Sequence, residues 1–120
     1  MIEHQYIYAI LRGKKFKAIN LPTELLAQVE DYKANDTAAI IESKIGENGK
    51  NTEGSRLLNF LNFLIPFKAK MKEIGVTQIA IYHTVAYSGQ CNFEYNPKEI
   101  AALKKLKATL CPSAYEQAVK

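Results

Sequence analysis

Val76-Thr77-Gln78-Ile79-Ala80-Ile81-Tyr82-His83-Thr84-Val85-Ala86-Tyr87 decides the fold. Ile79, Ile81, Val85 and Tyr87 recur at period two and Ala80, Tyr82 and Ala86 fall on the reverse side, so the run predicts a β-strand with two fairly apolar faces. A strand apolar on both sides belongs inside a sheet rather than at its edge. Upstream, Leu57, Leu61 and Leu64 share a face with Leu58 and Ile65, and Phe60, Phe67, Met71 and Ile74 continue it, which predicts a long helix from Ser55 to the stop at Gly75. Pro66 falls inside that span, removes one backbone donor and predicts a kink or two abutting helices near Ile65. Downstream, Ser88-Gly89-Gln90 predicts a turn into a hairpin strand Cys91–Tyr95. Asn96-Pro97-Lys98-Glu99 then places an N-cap residue, a proline at the first helical position and a glutamate at the third, close to a capping box. Ile100, Leu103 and Leu106 are the inward residues of that helix, and Ala108–Cys111 reads as a short last strand before Pro112.

The first half supplies the remaining pieces. Tyr6–Leu11 is aromatic and β-branched and stops at the basic turn Arg12-Gly13-Lys14-Lys15, so it reads as a first strand. Pro22 then starts a helix running towards Tyr32, with Leu25, Leu26 and Val29 on one side. Asn35-Asp36 marks a turn, and Thr37–Ile45 predicts a strand whose companion is the first. Residues 46–54, with three glycines and two asparagines, read as a mobile surface loop. Strands and helices in this order predict a single α+β domain, a mostly antiparallel sheet with helices packed on one face.

Composition narrows the function classes. The chain has 120 residues, 48% of them hydrophobic, with 16 Lys and Arg against 12 Asp and Glu. A domain near this length buries roughly two thirds of the surface its unfolded chain exposes, so it folds without metal or disulfide staples. The start, Met1–Gln5, shows no basic segment leading into an apolar run, and the most apolar stretch, Leu57–Phe67, is too short to span a bilayer. The reading is a cytoplasmic protein with no membrane partner. Cys91 and Cys111 lack CxxC spacing and a neighbouring histidine, which favours two reduced, mostly buried thiols, although a disulfide stays geometrically open.

Catalysis needs a reactive group and something that tunes it. His83, in mid-strand with Tyr82 and Thr84 as neighbours, reads as a structural histidine; an enzyme centred on it, with Cys91 or Tyr82, is the alternative. The carboxylates are scattered without metal-loop or acid–base spacing, and the glycines of 46–54 lack the Gly-Lys-Ser or Gly-Lys-Thr of a phosphate-binding loop. The expectation is therefore no catalytic residue, no cofactor and no metal. Basic residues are more informative. Arg12, Lys14, Lys15 and Lys17 form one cluster, Lys68, Lys70 and Lys72 a second, and Lys98, Lys104, Lys105 and Lys107 a third. If they converge they make a positive surface for an acidic macromolecule. Nucleic acid is one such partner, with Tyr6, Tyr8 or Phe16 stacking bases, yet Lys dominates over Arg and no nucleic-acid motif accompanies them. Solvated helix faces are the plainer explanation of such lysines.

From about Ser55 to Glu116 the chain resembles a family of small bacterial α/β proteins of unassigned function. The resemblance rests on the helix Leu57–Leu64, the strand Gln78–Tyr82, the turn Ser88–Asn92, the start Asn96-Pro97-Lys98-Glu99, and the closing Leu110-Cys111 with Tyr115-Glu116. It covers about half the chain. It implies an immunity protein of the kind that accompanies polymorphic toxins, binding its cognate toxin stoichiometrically, and it brings no catalytic residues with it. Contacts expected for that role are Arg12, Lys14, Lys15 and Lys17, with Glu47, Asn48 and Lys50 of the 46–54 segment. A free sheet edge would allow a homodimer as well.

Overall fold

The computed structural model describes residues 2–27, 29–35, 37–43, 56–89 and 94–116. Its strands are β1 (Ile2–Arg12), β2 (Val29–Ala34), β3 (Ala38–Ser43), β4 (Gln78–Tyr87) and β5 (Thr109–Glu116). They form one sheet in the order β2-β3-β1-β4-β5, antiparallel throughout except for the parallel pair of β4 and β5. The helices are α1 (Thr23–Leu26), α2 (Arg56–Leu64), α3 (Lys68–Glu73) and α4 (Pro97–Leu106). This is the expected α+β architecture, and β4 is interior, as its two apolar faces require.

Alternation decides which side carries the helices. Ile7, Ala9 and Leu11 of β1, Ala39 and Ile41 of β3, and Ile79 and Ile81 of β4 are buried in one cluster with Leu57, Phe60, Leu61 and Leu64 of α2 and Ala102, Leu103 and Leu106 of α4. Register keeps that face continuous, because Ala9 sits opposite both Ile41 and Ile81. Phe16, from the segment after β1, is wholly buried in the same cluster.

Several boundaries differ from the sequence reading. The helix after Pro22 ends at Leu26 instead of reaching Tyr32, and Val29 and Tyr32 belong to β2, paired with Ser43 and Ile41. Both are good strand formers, and a longer helix would leave the outer edge of β3 bare. The hairpin partner of β4 is also corrected. Both flanks of β4 are taken, by β1 and β5, and Glu94 and Tyr95 lie outside any strand. Cys91–Phe93 and the 46–54 loop lie outside the described residues. The last strand is longer than Ala108–Cys111 and runs through Pro112, which β5 accommodates as an edge strand. It is parallel because α4 carries the chain back along the sheet between β4 and β5. Ile100, expected inward, is 54% exposed. The inward stripe of α4 is Glu99, Ala102, Leu103 and Leu106, one step around the helix from Ile100.

The breaks and caps of the helices fall where the sequence puts them. Pro66 lies in a 3-10 turn, Ile65–Phe67, that joins α2 to α3, and Gly75 ends α3 with φ +103°. At the start of α4, Asn96 Oδ1 accepts from Glu99 N at 2.8 Å while Glu99 Oε1 accepts from Asn96 N at 2.7 Å, a complete capping box. Among the described residues, no helix is long and apolar enough to cross a membrane.

Candidate functional site

The topology gathers the lysine clusters. Arg12 closes β1 and stands in register with Ala38 at the start of β3 and Gln78 at the start of β4, so the basic turn that follows lies at one end of the sheet. β5 also begins there, with Thr109 against Ala80, which brings the C-terminal turn of α4 to the same end. α3 arrives there too, since the turn at Gly75 leads directly into β4. Arg12, Lys14, Lys15 and Lys17, then Lys70 and Lys72, then Lys104, Lys105 and Lys107 are all exposed on this pole, with Lys68 half-buried among them. Lys98 is the exception in its cluster. It sits at the N-terminus of α4, about 13 Å from the far turn at 1.5 Å per residue.

Specific contacts lock the pole together. Thr77 N donates to the Arg12 carbonyl at 2.8 Å and Val76 N to the Met71 carbonyl at 2.9 Å. Gly13 and Gly75 meet backbone to backbone: a Cβ on Gly13 would run into the Gly75 carbonyl oxygen, and one on Gly75 would lie 2.9 Å from Phe16 N. Lys68 Nζ donates to the Lys105 carbonyl, satisfying an acceptor at the C-terminal end of α4. Lys107 takes a left-handed conformation, φ 54°, as the C-cap. Lys70 and Lys72 in the last turn of α3, and Lys104 and Lys105 in that of α4, also complement the negative ends of their helices. The pairing of Lys70 with Glu73, at 3.6 Å between exposed side chains, neutralises little of this field.

Two concavities open on the pole and share Thr77. One, about 650 Å³, is lined by Arg12, Lys14, Asn35, Thr37 and Gln78 among others. Its wall is stiffened by Asn35, whose Oδ1 accepts from Thr37 N at 3.1 Å and Ala38 N at 2.9 Å, the turn its sequence predicted. The other, about 510 Å³, has Met71, Val76, Ile79 and Leu106 as its floor and Lys68, Lys72 and Lys107 around it.

His83 lies on the helix-covered side of the sheet and is 6% exposed. Its Nε2–H donates to Gln5 Oε1 at 2.9 Å, leaving Nδ1 to accept the Tyr95 hydroxyl proton at 3.0 Å. That is the neutral ring. Burial holds its pKa below the usual histidine value; the Glu99 carboxylate opposes the shift and the Arg56 guanidinium reinforces it. Burial, and then the charge of Glu99, raises the Tyr95 hydroxyl in turn. Both ring nitrogens are spent on neighbours, which is the arrangement of a structural histidine. Cys91 lies outside the described residues, and Tyr82 points to the opposite side of the sheet from His83.

That opposite side carries Tyr8 and Tyr82, stacked with ring centroids 4.9 Å apart and planes 3° from parallel, and the exposed Tyr6 and Tyr115. Tyr8 and Tyr82 each give a ring face to the other, so the platform a nucleobase would need is partly used. Phe16, the third candidate for base stacking, is buried and out of reach. Cys111 is free and half-buried on this open side, less enclosed than its sequence reading. Of the expected contact residues, Arg12, Lys14, Lys15 and Lys17 are brought together; Glu47, Asn48 and Lys50 lie outside the described residues. In the sequence Asn35 is legible only as a turn residue and Met71, Ile79 and Leu106 only as apolar core positions, while Thr77 carries no signal beyond its place between the glycine turn and the strand start. Among the described residues, no three of His, Cys, Asp and Glu converge as metal ligands. Compared with protein-family models, curated protein sequences and solved structures, the chain matches none.

Proposed function

We propose that this chain is a cytoplasmic immunity protein, a stoichiometric inhibitor that docks its basic pole on an acidic surface of a cognate bacterial toxin. The convergence of separate lysine clusters from the β1 turn, α3 and α4 on one end of the molecule is the observation that carries this reading. Cations concentrated on one pole steer an acidic partner into a productive encounter and raise its association rate. The backbone contacts beneath them hold in place the turns that carry these lysines, so the partner need not order that backbone. The resemblance of the second half to small bacterial α/β proteins supports the toxin as the class of partner.

The test is coexpression with the product of the neighbouring reading frame, followed by growth, co-purification and stopped-flow association. The proposal expects protection, a one-to-one complex, and an association rate that falls with salt and by about tenfold in a Lys14→Glu, Lys15→Glu, Lys17→Glu variant. Absence of a complex and of protection would overturn it, as would an association rate indifferent to the triple reversal. Nucleic acid would use the same lysines, and its signature is an affinity that drops steeply and linearly on logarithmic salt axes. Tight binding of that kind in place of a protein complex would replace the inhibitor reading.

A further inference from the structure

We propose that the cleft between α3, the C-terminal turn of α4 and the start of β4 receives an acidic segment of the partner through a single apolar anchor side chain. This rests on the reading of the basic pole as the docking surface and says what that pole recognises. Its floor is apolar, formed by the narrow accessible parts of Met71, Val76, Ile79 and Leu106, each less than a tenth exposed. Its rim is cationic, from Lys68, Lys72 and Lys107. A purely polyanionic ligand leaves such a floor wet and unused, whereas a purely apolar one forces three ammonium groups to face it without counter-charge. An apolar residue flanked by carboxylates satisfies both. At about 510 Å³ the cleft has room for one side chain together with its flanking backbone, since clefts of roughly 300–1,000 Å³ hold drug-sized ligands.

The rim is preorganised. Lys68 is held by its bond to the Lys105 carbonyl, and the Lys107 backbone is fixed as the helix cap. Anchoring there therefore orders fewer side chains than a rim of free lysines would. Thr77, whose N–H is tied to the Arg12 carbonyl, forms the wall shared with the neighbouring concavity. A segment crossing that wall places a following carboxylate beside Arg12 and Lys14. The recognised chemistry is thus one apolar residue with acidic neighbours on both sides.

Fluorescence anisotropy at low salt with labelled acetyl-Asp-Glu-Leu-Glu-Asp-amide, its Ala-centred counterpart and a twelve-residue oligothymidylate tests this. The Leu-centred peptide is expected to bind about tenfold more tightly than the Ala-centred one of equal charge, the worth of burying part of a leucine side chain. Thr77→Trp, which fills the shared wall without changing charge, is expected to abolish that preference. Lys72→Glu, at an exposed rim position, is expected to weaken the Leu-centred peptide by several-fold, and serves alone if Thr77→Trp does not fold. Equal affinity for the two peptides, preference for the oligothymidylate over both, or indifference to the Lys72 reversal would overturn the proposal. The two readings separate in the complex with the toxin. If Thr77→Trp leaves the complex intact and the Lys14, Lys15, Lys17 reversal breaks it, the cleft is wrong and the pole stands; if neither matters, the pole itself is wrong.

Discussion

Replacing Gly13 by alanine tests how the pole is built. The new methyl group points at the carbonyl oxygen of Gly75, a backbone atom that cannot swing aside as a side-chain tip would. Relief requires the β1 turn and the α3–β4 turn to separate, which also strains the bond from Thr77 N to the Arg12 carbonyl. Overpacking of this kind costs about 1–3 kcal/mol. Gly75→Ala presses on a neighbouring stretch of the same turn, the Lys15 carbonyl carbon and Phe16 N at 2.9 Å, and adds the strain of φ +103° for a residue with a Cβ. That strain is worth about 1–3 kcal/mol more. For a chain of this size about 1 kcal/mol corresponds to roughly 4 °C, so Gly13→Ala is expected to lower Tm by about 4–12 °C and Gly75→Ala by more. Because one opening relieves both methyls, the double variant should cost less than the two singles together by about 0.5 kcal/mol or more. Thermal and urea unfolding followed by circular dichroism give all four corners of the cycle. A Gly13→Ala protein melting within about 1 °C of the parent, or strict additivity, would refute the backbone contact on which the pole rests.

Three further outcomes follow from single contacts. Asn96→Ala removes one half of the capping box and is expected to cost about 1 kcal/mol by urea titration, and no measurable loss would deny the box its role. His83 is held neutral in the fold, so the unfolded chain binds the extra proton first as pH falls. Its contribution is complete above the unfolded value near 6.5 and is lost below it, at up to about 1.4 kcal/mol per pH unit until the folded pKa is reached. The difference between parent and His83→Gln, measured from pH 7.5 to 5, isolates that slope; parallel curves would contradict it. On α4, Leu103→Ala should cost about 2–5 kcal/mol and Ile100→Ala under about 0.5 kcal/mol. The reverse order would mean that the helix faces the sheet one step further round.

Local signals wrote the parts of the fold that local physics controls. The capping residues Asn96, Pro97 and Glu99 and the breaker Pro66 act within one helical turn, and their effects were legible from spacing alone. Alternation in 78–87 also sufficed for β4, because an interior strand needs both faces apolar. Pairing was not legible. Val29 and Tyr32 carry strand propensity, but Leu25, Leu26 and Val29 also fit a helical face, and the outcome turned on the open edge of β3 some residues away. The parallel course of β5 likewise depends on where α4 delivers the chain, which the sequence of β5 does not encode. The pole was half legible: the lysine clusters were visible, while their meeting required the register that puts Arg12 opposite Gln78. His83 is buried between Gln5 and Tyr95, partners that lie 78 and 12 residues away and that no short-range pattern marks.

The lysines of the pole have two explanations that differ in sign. Lys70, Lys72, Lys104 and Lys105 sit in the last turns of α3 and α4, where a cation stabilises a helix end by about 0.3–1 kcal/mol. Lys14, Lys15 and Lys17 terminate no α-helix; they are exposed on a turn that faces the same positive field. Among the described residues, no helix end gains from these charges, and the like charges around them repel. Changing these three to glutamine should therefore leave Tm unchanged or raise it slightly, while slowing association with the proposed partner. Changing Lys104 and Lys105 to glutamine should lower stability by about 1 kcal/mol in low salt, an effect that added salt erases. Cations retained against the stability of the fold are the mark of a surface kept for a partner. If the triple glutamine variant instead melted several degrees lower, the turn lysines would be structural, and the argument from convergence to docking would lose its ground.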